Sequence, residues 1–231
     1  LKLVEFFNHE VFGSVIDFVF PPACPVCGGA FNARDIICPD CIDAITECSC
    51  RYIPPERSLK YVDRISILLP YDSVCRTLIH ALKYHGMKST GPVLGTLMAK
   101  KTFKNCSLPE NSCLVPVPLH PFKLKERGYN QSERLAAGFA SFTGFEICDD
   151  LITRTKHTGT QTDLDHEQRA LNVSDAFRYS GGKSLSGRTV IIIDDVMTTG
   201  STISECAKAL KEGGAGDIII SVVATPGIEM D

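Results

Sequence analysis

Thr189-Val190-Ile191-Ile192-Ile193-Asp194-Asp195-Val196-Met197-Thr198-Thr199-Gly200-Ser201-Thr202 decides the fold. It opens on an unbroken run of β-branched and aliphatic side chains, the pattern of a strand buried on both faces of a parallel sheet. Two carboxylates stand where that strand must end. A glycine set among four hydroxyls then leads into a helical stretch over 201–212. In open α/β sheets, ligands bind outside the carboxyl ends of the strands. Gly200 lets the backbone bend closely around a ligand. The helix start supplies free N–H groups and a partial positive charge. The hydroxyls of Thr198, Thr199, Ser201 and Thr202 add further donors. Such a turn cradles a phosphate monoester without needing lysine. Asp194 and Asp195 can accept hydrogen bonds from two vicinal hydroxyls, so a sugar carrying a 5′-phosphate fits both halves. A helix cap uses one hydroxyl, and this turn holds more than a cap needs.

Outward from this motif the pattern alternates. Strands are expected over 64–69, 113–118, 189–193 and 217–224, and helices over 73–84, 91–103, 131–142 and 201–212. That alternation predicts an α/β fold, a parallel sheet flanked by crossover helices. Residues 153–188 are poor in apolar side chains and predict a long mobile loop with connecting elements. At the other end, residues 3–20 carry apolar side chains at near-helical spacing and are stopped by Pro21 and Pro22. This predicted helix lacks the basic polar face of a membrane-surface helix, so it is expected to pack on its own domain or a partner. Residues 53–58 read as a linker. The expected domains are therefore 1–52, an N-terminal helix with a cysteine module, and 60–231, the α/β domain.

The chain has 231 residues, 44% of them hydrophobic and 22% charged, which is ordinary globular composition. No apolar run approaches the ~20 residues of a membrane span. The formal charge of −3 hides an asymmetry: residues 51–134 hold 14 Lys/Arg against 6 Asp/Glu, and the remainder 10 against 21. A basic middle of this kind suits an anionic ligand, a phosphate or a nucleic acid, and is equally compatible with a solvated basic face.

Eleven cysteines would suit a secreted disulfide scaffold, but the count is odd and residues 1–20 have no basic leader region. Spacing is more telling. Cys24-x2-Cys27 and Cys38-x2-Cys41, ten residues apart, form two knuckles that together complete a tetrahedral four-cysteine site. The expected metal is structural zinc, with all four positions filled by protein. Cys48-x-Cys50 follows and is ambiguous, either half of a second site or no ligand at all. Cys75, Cys106, Cys113, Cys148 and Cys206 read as reduced, small hydrophobes. A reducing compartment, the cytoplasm, is expected.

The stretch from Asp194 to Thr202 resembles the signature of type I phosphoribosyltransferases. Phe20-Pro21-Pro22-x-Cys24-x2-Cys27, Leu78-Ile79-His80-Ala81-Leu82-Lys83-Tyr84-His85-Gly86, Val115-Pro116-Val117-Pro118 and Arg127-Gly128-Tyr129-Asn130-Gln131 narrow this. Together they resemble the ComF family, also called competence protein F, over about residues 16–225. Members often carry a second paired-cysteine knuckle, and only Cys48-x-Cys50 stands there in this chain.

The resemblance implies a type I phosphoribosyltransferase-like sheet with a small four-cysteine zinc-ribbon module. It implies that Asp194 and Asp195 hold the ribose hydroxyls of phosphoribosyl pyrophosphate. Thr198, Thr199, Gly200, Ser201 and Thr202 would hold its 5′-phosphate, and magnesium would bridge the pyrophosphate. The leaving pyrophosphate would meet a loop after the strand ending at Pro118, with His120, Lys123, Lys125 and Arg127. Among these, Lys125 and Arg127, with Asp195 as the nearest candidate base, are the expected catalytic residues. Residues 154–169 would form a flap, with Thr158, Gln161 and Arg169 as functional positions and Asn172 and Phe177 closing it off. The family is linked to natural transformation, the uptake and handling of single-stranded DNA, so single-stranded DNA and competence-machinery proteins are expected partners. Tyr61, Tyr71, Tyr84 and Tyr129, interleaved with basic residues, could stack on bases or belong to the core. The alternative is an active phosphoribosyltransferase of nucleotide metabolism or salvage, with a nitrogen acceptor that the pattern does not identify.

Overall fold

The computed structural model describes residues 23–29, 36–48, 50–51, 59–83, 90–105, 107–155, 176–182, 184–226 and 229–230. The expected N-terminal helix, the linker, and residues 156–175, which hold all of the flap beyond Thr155 as well as Asn172, lie outside these residues.

In chain order the elements are α1 (Pro39–Glu47), β1 (Cys50–Arg51), β2 (Arg64–Pro70), α2 (Ser73–Lys83) and α3 (Thr90–Asn105). Next come β3 (Cys113–Pro116), α4 (Pro121–Arg127), α5 (Gln131–Thr143), β4 (Glu146–Ile147), β5 (Ile152–Arg154) and β6 (Phe177–Tyr179). The last are β7 (Val190–Val196), α6 (Ser201–Glu212), β8 (Ile218–Thr225) and β9 (Glu229–Met230). The main sheet has five strands in the order β2-β8-β7-β3-β4, every pair parallel. The run that decides the fold lies inside it. All eight residues of β8 and six of the seven of β7 are buried.

Side chains alternate across β7, as strand geometry requires. Ile191 and Ile193 join Leu114, Leu94, Met98, Leu135 and Phe139 in the core under α3 and α5. Val190 and Ile192 join Val115, Cys206, Ala207 and Leu210 under α6. Helices thus cover both faces, and the carboxyl ends of the strands are left for a ligand. Cys75, Cys113, Cys148 and Cys206 are buried, free thiols within these layers; Cys106 lies outside the described residues.

The cysteine module shares this core. Ile37 and Ile45 pack in the same cluster as Leu68, Leu94 and Leu97. The buried Lys101 ammonium donates to the Cys48 carbonyl at the C-cap of α1. Such a cation suits the negative end of a helix. β1, directly after the module, pairs antiparallel with β9 near the other end of the chain.

One expectation is corrected. The segment after β3 is not a loop but the short helix α4, with Pro121 in its first turn and His120 as its N-cap. None of its residues is fully buried, so it carries no apolar stripe by which a sequence pattern could reveal it. Within 153–188, β5 and β6 form an antiparallel pair, with Ile152 and Phe177 buried against α6 residues.

Candidate functional site

Asp194 and Asp195 close β7 at its carboxyl end, and both are buried. Asp194 Oδ1 accepts from Ser132 Oγ at 3.0 Å and from the Asp195 amide at 2.9 Å. Asp195 Oδ1 accepts from the Val196 amide at 2.9 Å. Its Oδ2 meets Lys83 Nζ at 2.6 Å. Burial, followed by the neighbouring Asp195 charge, pushes the Asp194 carboxyl up to about 7, against the opposing pull of its two hydrogen bonds.

The turn after the acids is built for close approach. Gly200 is the N-cap of α6 with φ +76°, and a Cβ there would lie 3.0 Å from Leu59 Cδ2. A side chain would be strained on the backbone and crowded by Leu59. Thr199 Oγ1 and Ser201 Oγ are 2.9 Å apart, and the Ser201 amide donates to Thr199 Oγ1 at 3.3 Å. Thr198 is exposed, while Thr199, Ser201 and Thr202 are half-buried. The hydroxyls therefore line the start of α6, where the helix leaves N–H groups for a ligand.

Several cations act on one another near the acids. Burial, and then the positive charges of Arg154, Arg127 and Lys83, lower the Lys123 pKa; Glu126 opposes them. Burial lowers that of Arg154 too, with Cys206 and Asp194 acting the other way. Lys83, Lys123, Arg127 and Arg154 thus share one electrostatic neighbourhood at the edge of the acid pair. Arg127 also donates to Gln131 Oε1 at 2.6 Å, and Arg154 lies over the Phe177 ring at 5.5 Å from its centroid.

The Arg127–Gln131 segment explains how these parts are held. Gly128 ends α4 in the left-handed conformation. The Tyr129 hydroxyl donates to the Leu82 carbonyl, which fixes the last turn of α2. Asn130 caps α5 by accepting from the Ser132 amide, and its Nδ2 donates to the Val117 carbonyl at 3.1 Å. One segment therefore locks the end of the β3 region, the start of α5 and the end of α2 around the acids.

Of the expected site residues, Asp194, Asp195 and the 198–202 turn stand together at the end of β7, while Arg127 ends α4, bonded to Gln131 and acting on Lys123. Lys125 is exposed on α4. His120 Nδ1 accepts from the Phe122 amide at 3.1 Å, a capping role within α4. Tyr129 is only 7% exposed, so it belongs to the core and is not a stacking surface for bases. Tyr61 is half-buried and Tyr71 is 40% exposed. Sequence reasoning assigned no role to Lys83, Ser132 or Arg154. Lys83 ends an amphipathic helix, Ser132 follows a capping asparagine, and Arg154 falls in a segment read mainly as a loop, so none stood out by spacing. An open cleft of about 760 Å³ between β6 and α6 offers Arg178, Lys208, Glu205 and Glu212, and includes no residue of the 194–202 stretch.

The second cluster lies in the module. One sulfur from each of Cys24, Cys27, Cys38 and Cys41 falls within 4.8 Å of the others, close enough to hold one metal ion. Cys24 Sγ accepts from the Cys38 amide at 3.5 Å. Burial works to raise the Cys24 thiol, but hydrogen bonds from the Cys38, Cys27 and Val26 backbones bring it down to about 6. Such donors favour the thiolate at Cys24, while burial and the neighbouring cysteines push the Cys41 thiol up. Cys48 is not part of the group, and the Cys50 side chain lies outside the described set. Among the described residues no helix is long and apolar enough to cross a membrane.

Comparison with known proteins agrees with this architecture. The phosphoribosyl transferase domain model matches residues 131–229, which run from the first turn of α5 through β7, the turn and β8. "DNA utilization protein YhgH" of Escherichia coli K12 is 30% identical over 204 residues, covering 84% of this chain and 86% of that protein. "Competence protein F" of Haemophilus influenzae is 32% identical over 163 residues, 68% of this chain and 70% of that one. "Competence protein ComFC" of Streptococcus pneumoniae is 32% identical over 104 residues, 45% and 44% of the two chains. Likeness on this scale, extending well beyond the phosphoribosyl transferase domain into the rest of the chain, makes this protein a member of the ComF, or competence protein F, family.

Proposed function

We propose that this protein binds phosphoribosyl pyrophosphate with magnesium at the carboxyl end of β7 and serves the handling of single-stranded DNA in natural transformation. The observation that carries the pocket is the buried Asp194–Asp195 pair at the carboxyl end of β7, followed directly by the hydroxyl-lined turn at Thr198–Thr202, with Lys83 against Asp195. The acids suit the two ribose hydroxyls. Gly200, the 198–202 hydroxyls and the α6 N-terminus suit the 5′-phosphate. Lys123, Arg127 and Arg154, with exposed Lys125 at the rim, suit a diphosphate. Magnesium would arrive with the diphosphate and neutralise part of its charge. The names of the relatives, which concern competence and DNA utilization, support the cellular role. The four-cysteine cluster is assigned to structural zinc, the metal that such a closed thiolate set prefers.

A second reading is supported by the basic groups Lys123, Arg127 and Arg154, which act on one another and would suit a leaving pyrophosphate. On that reading the protein is an active phosphoribosyltransferase with a nitrogen acceptor. The C1–O bond to pyrophosphate breaks with its electron pair going to the leaving group, and a C1–N bond forms. Positioning and neutralisation of the leaving charge do most of the work. Asp195 is the nearest group to take the acceptor's proton.

Calorimetric titration of phosphoribosyl pyrophosphate with magnesium tests the pocket. Wild type should bind, and Asp194→Asn/Asp195→Asn should not. A folded, zinc-loaded wild type that fails to bind removes the proposal. Release of pyrophosphate on adding candidate amines separates the enzyme from a binding protein. For DNA, affinity for a single strand should fall steeply with salt, and Lys123→Ala/Arg127→Ala should flatten that slope. An unchanged slope takes α4 out of the DNA track. The assigned compartment is the cytoplasm, where the buried free thiols stay reduced.

A further inference from the structure

Lys83 already occupies the acid pair. Its Nζ lies 2.6 Å from Asp195 Oδ2, with the lysine side chain 28% exposed and the aspartate 8%. The stem of this lysine is fixed, because Leu82 is buried and its carbonyl accepts from Tyr129. The four-carbon tip is free to change rotamer. The same ammonium contributes to the positive field that lowers Lys123, so it lies on the boundary between acids and cations. The charges of Lys83, Arg127 and Arg154 all act on Lys123, opposed by the exposed Glu126, and Asp194 acts on Arg154.

We propose that Lys83 is a ligand-binding residue with two stations: Asp195 while the site is empty, and the diphosphate of the ligand once it binds. This rests on the reading above that the pocket takes phosphoribosyl pyrophosphate. A ribose hydroxyl needs Asp195 Oδ2 as an acceptor, and the lysine stands on that oxygen. Displaced from it, this partly buried ammonium gains from another anion, and a diphosphate drawn to Lys123, on which the Lys83 charge already acts, would supply one. The exchange keeps Lys83 paired in both states, so the desolvation cost of an unpaired charge is avoided. It also makes the site selective. A sugar phosphate without the diphosphate displaces Lys83 and leaves it no new partner. Phosphoribosyl pyrophosphate displaces it and supplies one.

The test compares phosphoribosyl pyrophosphate with ribose 5-phosphate, each with magnesium, on wild type, Lys83→Met and Lys83→Arg in zinc-loaded full chain. Lys83→Met should weaken phosphoribosyl pyrophosphate by about tenfold or more, the scale of one charge-assisted hydrogen bond. It should leave ribose 5-phosphate unchanged or bound more tightly, because Asp195 is released. Lys83→Arg should restore most of the lost affinity. Equal weakening of both ligands, tighter binding of both, or no change for phosphoribosyl pyrophosphate each overturns the two-station role. A wild type that binds neither ligand overturns the underlying reading instead. A measurement on the unaltered lysine keeps the idea open to refutation if Lys83→Met fails to fold. The ¹³Cε signal of Lys83, identified by its loss in Lys83→Arg, should shift when inorganic pyrophosphate is added. A signal that stays in place overturns the proposal.

Discussion

Gly138→Ala separates what helix propensity predicts from what packing predicts. Gly138 lies inside α5, and on propensity alone alanine would stabilise the helix by about 1 kcal/mol. The structure reverses the sign. A Cβ on Gly138 would lie 1.9 Å from the Pro92 carbonyl oxygen of α3 and 2.6 Å from the Pro92 carbonyl carbon. A comfortable carbon–oxygen contact needs roughly 3.3 Å, so the helices must separate by about 1.4 Å. The clash is with backbone, and no rotamer relieves it. Gly95 makes the reciprocal approach, its Cβ position lying 2.0 Å from the Leu135 carbonyl oxygen. Thr96 Oγ1 donates across the same contact to the Gly138 carbonyl at 3.1 Å, a bond that separation would break. Overpacking at the upper end of its range, about 3 kcal/mol, less the propensity gain of about 1 kcal/mol, leaves a net loss of about 2 kcal/mol. For a chain of this size that is a fall of about 4–8 °C in melting temperature. Urea unfolding of the zinc-loaded protein measures it, with Gly182→Ala, where nothing lies within 4 Å of the added atom, as the control. Ser132, at the start of the same helix, would move away from Asp194, so ligand affinity should fall as well. A Gly138→Ala protein as stable as wild type, or more so, would refute the close-packing argument.

The remaining predictions concern protons and metal. The Asp194 carboxyl is ordinary in the unfolded chain, near 3.9, and is raised to about 7 in the fold. Between these values the native state holds more proton than the unfolded one, so this group's contribution to stability falls as pH rises and stays low above about 7. Asp194→Asn should therefore be more stable than wild type at pH 8, with the gain shrinking by pH 5; a gain independent of pH counts against the raised carboxyl. Elemental analysis should find one zinc per chain, and a second would bring Cys48 and Cys50 back as ligands. Cys24→Ser should lose both the metal and the fold of the module, because binding and folding free energy are linked. A folded, metal-loaded Cys24→Ser protein would end the four-cysteine assignment.

Most of the sheet was legible because its signal is local. The run at 190–193 names a doubly buried strand, and the helix expected over 201–212 matches α6 residue for residue. The turn at Gly200 was readable for the same reason: positive φ and a helix start are demands that neighbouring residues settle among themselves. The knuckle spacings likewise place four sulfurs together over a short span of chain. Short elements without an apolar stripe were less legible. α4 exposes most of its surface, and the three-residue strands β5 and β6 depend on a pairing across a long connection.

The sequence alone therefore determined the parallel α/β architecture, the acid pair with the hydroxyl-lined turn behind it, and the four-cysteine set. Tertiary structure decided how those parts are completed. Ser132 reaches Asp194 across 62 residues, Tyr129 reaches back 47 to hold the turn before Lys83, and Lys101 reaches 53 to the Cys48 carbonyl. No periodicity encodes such meetings. They follow from the layer order of the sheet, which brings the ends of α2, β3 and β7 to one edge, where buried charges must find partners in whatever the fold places beside them.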